Sequence, residues 1–357
     1  MSFVKQEIIE SNAEFVITRH IPENKVEGIV VISFDTITGG LKNKGFGTDF
    51  LNKNLIENIF VSHRTYSFYQ GLSLKQFYDS VKNYLDDRKV YTYGSSLGAY
   101  AAVFYAGVIN AKAIALAPRC SIDPIYSEKF PTEYKQVFYH EKMSSTNIVS
   151  KDEPIIVFDP LYEKDILFVS KRIALAYPAA EYWEIPNGTH SVALTLKNSS
   201  VLKDFFFKII NGENFREIFV DVESNPSYSS KAAGVEYYKK NFKECERLLA
   251  KCFEFGGSKQ GLDIYRRLLE SGELKLKVDP RKISDELRLS IVRQFSKQMA
   301  DASNIENVHV NIFEMNYLLM EYNAAYNVAK SYSFIDKNSI IASELLPKAI
   351  KATNYFD

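Results

Sequence analysis

Three cysteines in 357 residues, at 120, 245 and 252, are too few and too scattered for a disulfide framework, and their spacing fits no zinc pattern. A reducing, cytoplasmic setting without a bound metal is therefore expected. The chain also has no charge of either sign in excess, with 44 basic and 44 acidic side chains. No dense Lys/Arg tract offsets that balance, which excludes nucleic acid as the expected partner. Nowhere do about eighteen uncharged apolar residues run together, so no transmembrane segment is expected. The opening MSFVKQEIIESNAEF lacks a basic stretch followed by an apolar core, so no secretory leader is expected either. Glycines 39, 40, 45 and 47 lie in one loop, but their spacing matches neither the P-loop nor the dinucleotide fingerprint.

Apolar residues are plentiful, at 46%, enough to bury a sizeable core in a chain long enough for two domains. The most informative stretch is Val90 to Gly107, VYTYGSSLGAYAAVFYAG. A β-branched and aromatic run is followed by Gly94-Ser95-Ser96-Leu97-Gly98 and then by small residues at helical spacing. Strand, tight turn, helix is the setting in which G-x-S-x-G forms a nucleophile elbow. The five-residue frame puts Ser96, not Ser95, at its tip. Glycine is needed at 94 and 98 because strand and helix pass close together there. The Leu97 N–H, at the helix start, is then aimed at an oxyanion formed on a substrate bound to Ser96.

Around this stretch the pattern alternates strand and helix. Lys5 to Ser11 and Glu14 to Ile21 read as half-buried antiparallel strands. Gly28 to Phe34, GIVVISF, reads as a strand covered on both faces, the mark of a parallel sheet. Ile59 to His63, Lys112 to Ala117, Pro154 to Phe158 and Tyr182 to Ile185 read as further strands. Helices are expected at Ser73 to Leu85, Lys164 to Tyr177 and Ser200 to Ile210. Units of roughly thirty residues imply right-handed crossovers and one doubly wound, mostly parallel sheet. Pro118 to Asp152 is a long connection expected to overhang the site and help select the acceptor.

A serine hydroxyl needs a base within hydrogen-bond reach and a carboxylate behind that base. His190, delivered by Pro186-Asn187-Gly188-Thr189 just past a strand end, is the favoured base among five histidines. His63 is the rival by position, though a core or sheet-edge role fits it. Asp159 leaves a strand tip and is the favoured acid. Asp165 is the alternative, set second because a carboxylate early in a helix has a ready role as a cap; Glu163 is third. The second oxyanion N–H is expected from Phe34, Asp35 or Thr36.

Ser224 to Ser230, SNPSYSS, reads as a polar linker, dividing a catalytic domain at 1–223 from a helical domain at 231–357. The segments Ala232 to Leu249 and Ala325 to Ile350 resemble degenerate tetratricopeptide-type units, without a strict period of about 34 residues. A docking surface for a protein partner, or self-association, is the expected use; an appendage that buries its own core is the alternative.

The elbow YGSSLG, the strand-terminal VFDPLYEKD and the NGTH loop together resemble the α/β-hydrolase superfamily over roughly residues 14 to 212. Members often carry Gly at the strand end with the acid three residues on; here Asp159 takes the Gly place and Tyr162 the acid place. ISFD, YGSSLGAYAA and APRCSIDP further resemble bacterial surface-glycan enzymes that include capsular polysaccharide O-acetyltransferases. That resemblance implies Ser96 as acyl-carrying nucleophile, His190 as base then acid, and Asp159 as orienting carboxylate. It also implies acetyl-coenzyme A as donor, a carbohydrate acceptor and no tightly bound cofactor. A carbohydrate or small-ester esterase is the alternative, and a non-catalytic scaffold on the same fold is the alternative of another class.

Overall fold

The computed structural model describes residues 3–356 apart from 86, 131, 133, 144–147, 280–281, 334 and 337–338. Two compact units are present, Met1–Lys197 with Val201–Val220, and Asn198–Ser200 with Asp221–Asp357. In the first, the chain forms β1 (Val4–Ser11), β2 (Phe15–Pro22), β3 (Ile29–Phe34), α1 (Thr48–Lys53), β4 (Asn58–His63), α2 (Leu74–Val81), β5 (Lys89–Ser95) and α3 (Leu97–Ile109). It continues through β6 (Lys112–Leu116), β7 (Ile155–Phe158), α4 (Glu163–Phe168), the single turn α5 (Ala174–Ala176), β8 (Glu181–Glu184), α6 (Val192–Asn198) and α7 (Leu202–Asn211). The eight strands form one sheet in the order β1-β2-β4-β3-β5-β6-β7-β8. β2 runs antiparallel to both its neighbours, and every pair from β4 to β8 is parallel. This doubly wound sheet, with the elbow strand β5 near its centre, is the α/β-hydrolase fold.

Alternation along β3 explains the layers. Val30, Ile32 and Phe34 face one core, in which Phe34 stacks on Tyr105 of α3 at 5.5 Å and meets Phe77 of α2 at 5.8 Å. On the opposite face Tyr93 of β5 packs edge-on against Phe206 of α7, and Trp183 of β8 stacks on Phe205. α3 is buried almost along its whole length, and its alanines let it lie close to the sheet, where Thr92 Oγ1 donates to the Ala102 carbonyl at 2.8 Å. α2 starts where expected: the Ser73 hydroxyl accepts from the Gln76 N–H and the Gln76 side chain reaches back, a capping box.

Three local details add to or correct these expectations. α1, unforeseen, directly follows the glycine-rich loop, opening after Gly47, whose φ of 81° favours glycine. The helix expected over Lys164 to Tyr177 is present, running as α4, a wide π-helical turn over Val169–Ile173, and α5. SNPSYSS is not a linker. Asn225 caps α8 (Pro226–Tyr238) by accepting from the Ser227 N–H, Pro226 occupies the first turn where its missing N–H costs nothing, and Ser229 and Ser230 are buried.

The second unit continues with α9 (Phe242–Glu254), α10 (Lys259–Ser271), α11 (Asp285–Ala300), α12 (Ile305–Leu318), α13 (Tyr322–Ser333) and α14 (Leu346–Phe356). It buries a core of its own: Leu248, Leu249 and Phe253 of α9 with Leu262, Tyr265 and Leu268 of α10, and Phe313 and Tyr317 of α12 with Ala325 and Ala329 of α13. Cys245 and Cys252 are both buried on α9. α8, α9 and α10 begin 16 and 17 residues apart, the spacing of a helical repeat, but the next starts lie 26 and 20 residues on, so the regularity is not sustained. Among the described residues no helix is long and apolar enough to cross a membrane.

The described part of the long connection after β6 is held by side-chain bonds. Asp123 takes Arg172 bidentately at 2.6 and 2.9 Å, and the Gln70 side chain accepts from the Tyr139 and His140 N–H groups. The His140 ring is clamped between Tyr100 Oη at 2.7 Å and the Tyr69 carbonyl at 2.9 Å and stacks on Phe104 at 4.5 Å. Burial pushes its pKa from 6.5 down to about 4, against the two backbone carbonyls that favour the charged ring. The unfolded chain therefore takes up a proton first as pH falls. His140 contributes stability that is complete above about pH 6.5 and is lost progressively toward pH 4. The thermal midpoint, followed by circular dichroism, is expected to fall between pH 7 and pH 4.5, and His140→Gln is expected to show a smaller drop over that interval from a lower starting value.

Candidate active site

Ser96 sits at the turn from β5 into α3 with φ 55° and ψ −116°, a conformation that costs a non-glycine residue about 1–3 kcal/mol. Its neighbours over-determine it. A Cβ on Gly94 would lie 2.1 Å from the Gly98 carbonyl oxygen, and one on Gly98 would lie 2.4 Å from that of Phe34. Only glycine lets strand, helix and the end of β3 converge this tightly. The Ser96 N–H donates to the Leu116 carbonyl at 2.9 Å, and its carbonyl accepts from Tyr100 and Arg119 N–H groups, both at 3.1 Å. Backbone bonds on both sides thus present the half-buried hydroxyl at the carboxyl edge of the sheet.

That hydroxyl lies 2.8 Å from His190 Nε2, and His190 Nδ1 lies 2.8 and 2.9 Å from the two oxygens of Asp165. An ionised carboxylate only accepts, so the Nδ1–H donates to Asp165 and Nε2 is left to accept from Ser96. Asp165 is fully buried; His190 is about one-fifth exposed. The Tyr162 ring stacks on the imidazole at 5.6 Å, and the Arg119 guanidinium lies 3.6 Å from Asp165 and over Tyr162. A serine, an imidazole and a carboxylate in one hydrogen-bonded line can move a proton from the hydroxyl as it attacks a carbonyl.

The acid favoured from sequence, Asp159, does not reach the imidazole. Its carboxylate accepts from three backbone N–H groups, those of Leu161 at 2.9 Å, Asn187 at 3.1 Å and Thr189 at 2.9 Å. Asn187 and Thr189 both have positive φ, so the loop needs such an anchor to hold His190 in place. The capping argument against Asp165 also fails: Tyr162 is the N-cap of α4, no side chain caps it, and Asp165 turns inward. Glu163 pairs with Lys129. His63 is fully buried, its ring within hydrogen-bond distance of the Thr36 and Arg64 carbonyls and Ser67 Oγ, and burial lowers its pKa.

Leu97 opens α3, so its N–H is one of the first-turn donors that helix geometry leaves without an intrahelical acceptor. Asp35 is not the second donor, because its N–H goes to the Val61 carbonyl at 3.0 Å. Phe34 lies inside the ladder with β4, its carbonyl backed onto Gly98, and the Thr36 N–H donates to Asp35 Oδ1 at 2.9 Å. Asp35 Oδ2 is buried without a hydrogen-bond partner among the described residues. Arg119 and Tyr162, neither foreseen, frame the site; each lies within a few residues of the end of a parallel strand, the position that should have marked them. Arg119 also borders a cleft of about 340 Å³ whose wall includes Tyr126 and Lys164.

No family model matches this chain, and no curated protein does. Solved structures of low identity do. The chain is similar to a CIB-like hydrolase from Thermoplasma acidophilum (13% identity, 59% of this chain and 97% of that one, TM-score 0.35). It is similar also to the esterase Pf2001 of Pyrococcus furiosus (12%, 59% and 91%, TM-score 0.43) and to Est1E from Butyrivibrio proteoclasticus (15%, 58% and 99%, TM-score 0.38).

The two aspartates should separate cleanly. A downfield imidazole N–H proton resonance is expected in the wild type and in Asp159→Asn, and is expected to vanish in Asp165→Ala. Asp159→Ala, which strands three backbone donors, is expected to lower unfolding free energy in urea by about 2–3 kcal/mol.

Proposed function

We propose that this protein is a serine hydrolase that cleaves esters through an acyl-enzyme on Ser96. The unbroken line from Ser96 Oγ through His190 to Asp165, each step 2.8 Å, carries the reading. Ser96 Oγ attacks the ester carbonyl while Nε2 takes its proton, and the new oxyanion is met by the Leu97 N–H. His190 then gives that proton to the departing alkoxide. Water, deprotonated by the same nitrogen, attacks the acyl-enzyme, and the acid is released as Ser96 regains its proton. Asp165 holds the ring in the tautomer that can do this, and Asp159 holds the loop that carries the ring.

Transfer of an acetyl group from acetyl-coenzyme A to a sugar hydroxyl would use the same residues with another acceptor. Hydrolysis is the preferred reading because Ser96 is only partly buried and a cleft of about 340 Å³ lies at Arg119, whose N–H bonds the Ser96 carbonyl, so water has a route to the acyl-enzyme. A scaffold role would leave the convergence of His190 and Asp165 on one strained serine without use.

Hydrolysis of 4-nitrophenyl acetate is expected, with kcat/KM falling at least about 10³-fold in Ser96→Ala and about 10²–10⁴-fold in Asp165→Asn. Retained turnover in Ser96→Ala would remove the nucleophile. Acetylated N-acetylglucosamine formed from acetyl-coenzyme A faster than free acetate would replace hydrolysis by transfer.

A further inference from the structure

The cleft beside the triad has a composition that the reaction itself does not require. Its wall is formed by Arg119, Ser121, Tyr126, Phe130, Thr132, Tyr134 and Lys164, two cations, two aliphatic hydroxyls and three aromatic rings, and among the described residues no carboxylate lines it. The acidic side chains nearby are engaged elsewhere. Asp123 is held by Arg172, Glu163 by Lys129, and Asp165 by His190. Lys164 makes no ion pair among the described residues, and its ammonium lies over the Phe130 ring, 5.0 Å from the centroid. Arg119 is only 17% exposed; its Nη1 is buried without a hydrogen-bond partner among the described residues, and its contact with Asp165 at 3.6 Å is too long to be one. A half-buried cleft thus holds two positive charges, of which Arg119 faces one internal carboxylate, that of Asp165 at 3.6 Å, and Lys164 faces none among the described residues, together with an unused Arg119 donor.

Its place ties it to the serine. The Arg119 N–H donates to the Ser96 carbonyl, the Tyr126 hydroxyl donates to the Lys164 carbonyl at 2.9 Å, and Lys164 precedes Asp165 in the chain. A ligand group resting here therefore lies beside the ester being cleaved. The volume, about 340 Å³, suits a compact group rather than a long acyl chain.

We propose that this cleft selects substrates carrying an anionic group, a carboxylate or a phosphate, next to the scissile ester, with Lys164 and Arg119 as the groups that bind it. Arg119 supplies the planar donor and Lys164 the point charge, while the rings exclude water and leave the pairing less screened. The substrate class rests on the ester-cleaving reading above, whereas the anion site does not.

Two measurements keep these apart. In the first, kcat/KM is compared for mono(4-nitrophenyl) succinate and for neutral 4-nitrophenyl acetate. The wild type is expected to prefer the anionic ester at least tenfold, Lys164→Gln to lose most of that preference and Lys164→Arg to keep it. An equal preference in wild type and Lys164→Gln would overturn the proposal. In the second, succinate and inorganic phosphate are titrated calorimetrically into the Ser96→Ala protein, which needs no turnover. Binding of either, weakened about tenfold by Lys164→Gln, supports the site even if neither ester is cleaved, and which ion binds tells carboxylate from phosphate. Failure of both ions to bind would overturn it.

Discussion

Three backbones meet at the carboxyl edge of β5, and everything at the site depends on how closely they do so. Gly94, Gly98 and the Phe34 carbonyl occupy space in which a single methyl group would collide, and the consequence is a serine held at φ 55°. An isolated turn would relax out of that geometry. Here the sheet supplies the restoring force, because the Ser96 N–H is bonded to β6 and β5 is itself paired on both sides. The strain is local, but the cohesion that maintains it is spread over the entire core.

Against this fixed point the other two members of the line are delivered by quite different means. Asp165 projects from the first turn of a helix, so its position is set by how α4 packs, with Phe168 wholly buried. His190 comes from a short irregular loop with two residues in left-handed conformations, and a loop of that kind does not hold itself. The buried carboxylate of Asp159 ties it down through amides on both sides of Gly188. Two aspartates six positions apart therefore divide the work: one orients the ring, the other orients the segment that bears it.

This division explains what was legible in the sequence. Ser96 is announced by glycines whose spacing has a steric reason, and His190 by its place after a strand, so both can be read without coordinates. The choice between Asp159 and Asp165 cannot, since it turns on side-chain direction within one tight turn, and both residues lie in positions that favour a carboxylate. One mostly parallel sheet follows from the alternation of strand and helix patterns, and β3, β5 and β6 lie within a residue or two of where the apolar runs place them. The start of the second unit fares worse. SNPSYSS is polar and Pro-containing, as linkers are, yet those same residue types cap a helix, and only tertiary packing decides between the two uses. The cleft walled by Arg119 and Lys164 was out of reach for a further reason, being assembled from the loop after β6 and the start of α4, which periodicity does not relate.

The proposed hydrolysis depends on the Ser96 hydroxyl being activated in place, and covalent capture reads that most directly. The protein would be treated with a fluorophosphonate, digested, and the modified peptide sequenced by mass spectrometry. A single adduct on Ser96, formed at a rate that collapses in His190→Ala, is the predicted result. An adduct on Ser95 or elsewhere, or labelling indifferent to the loss of His190, would contradict it.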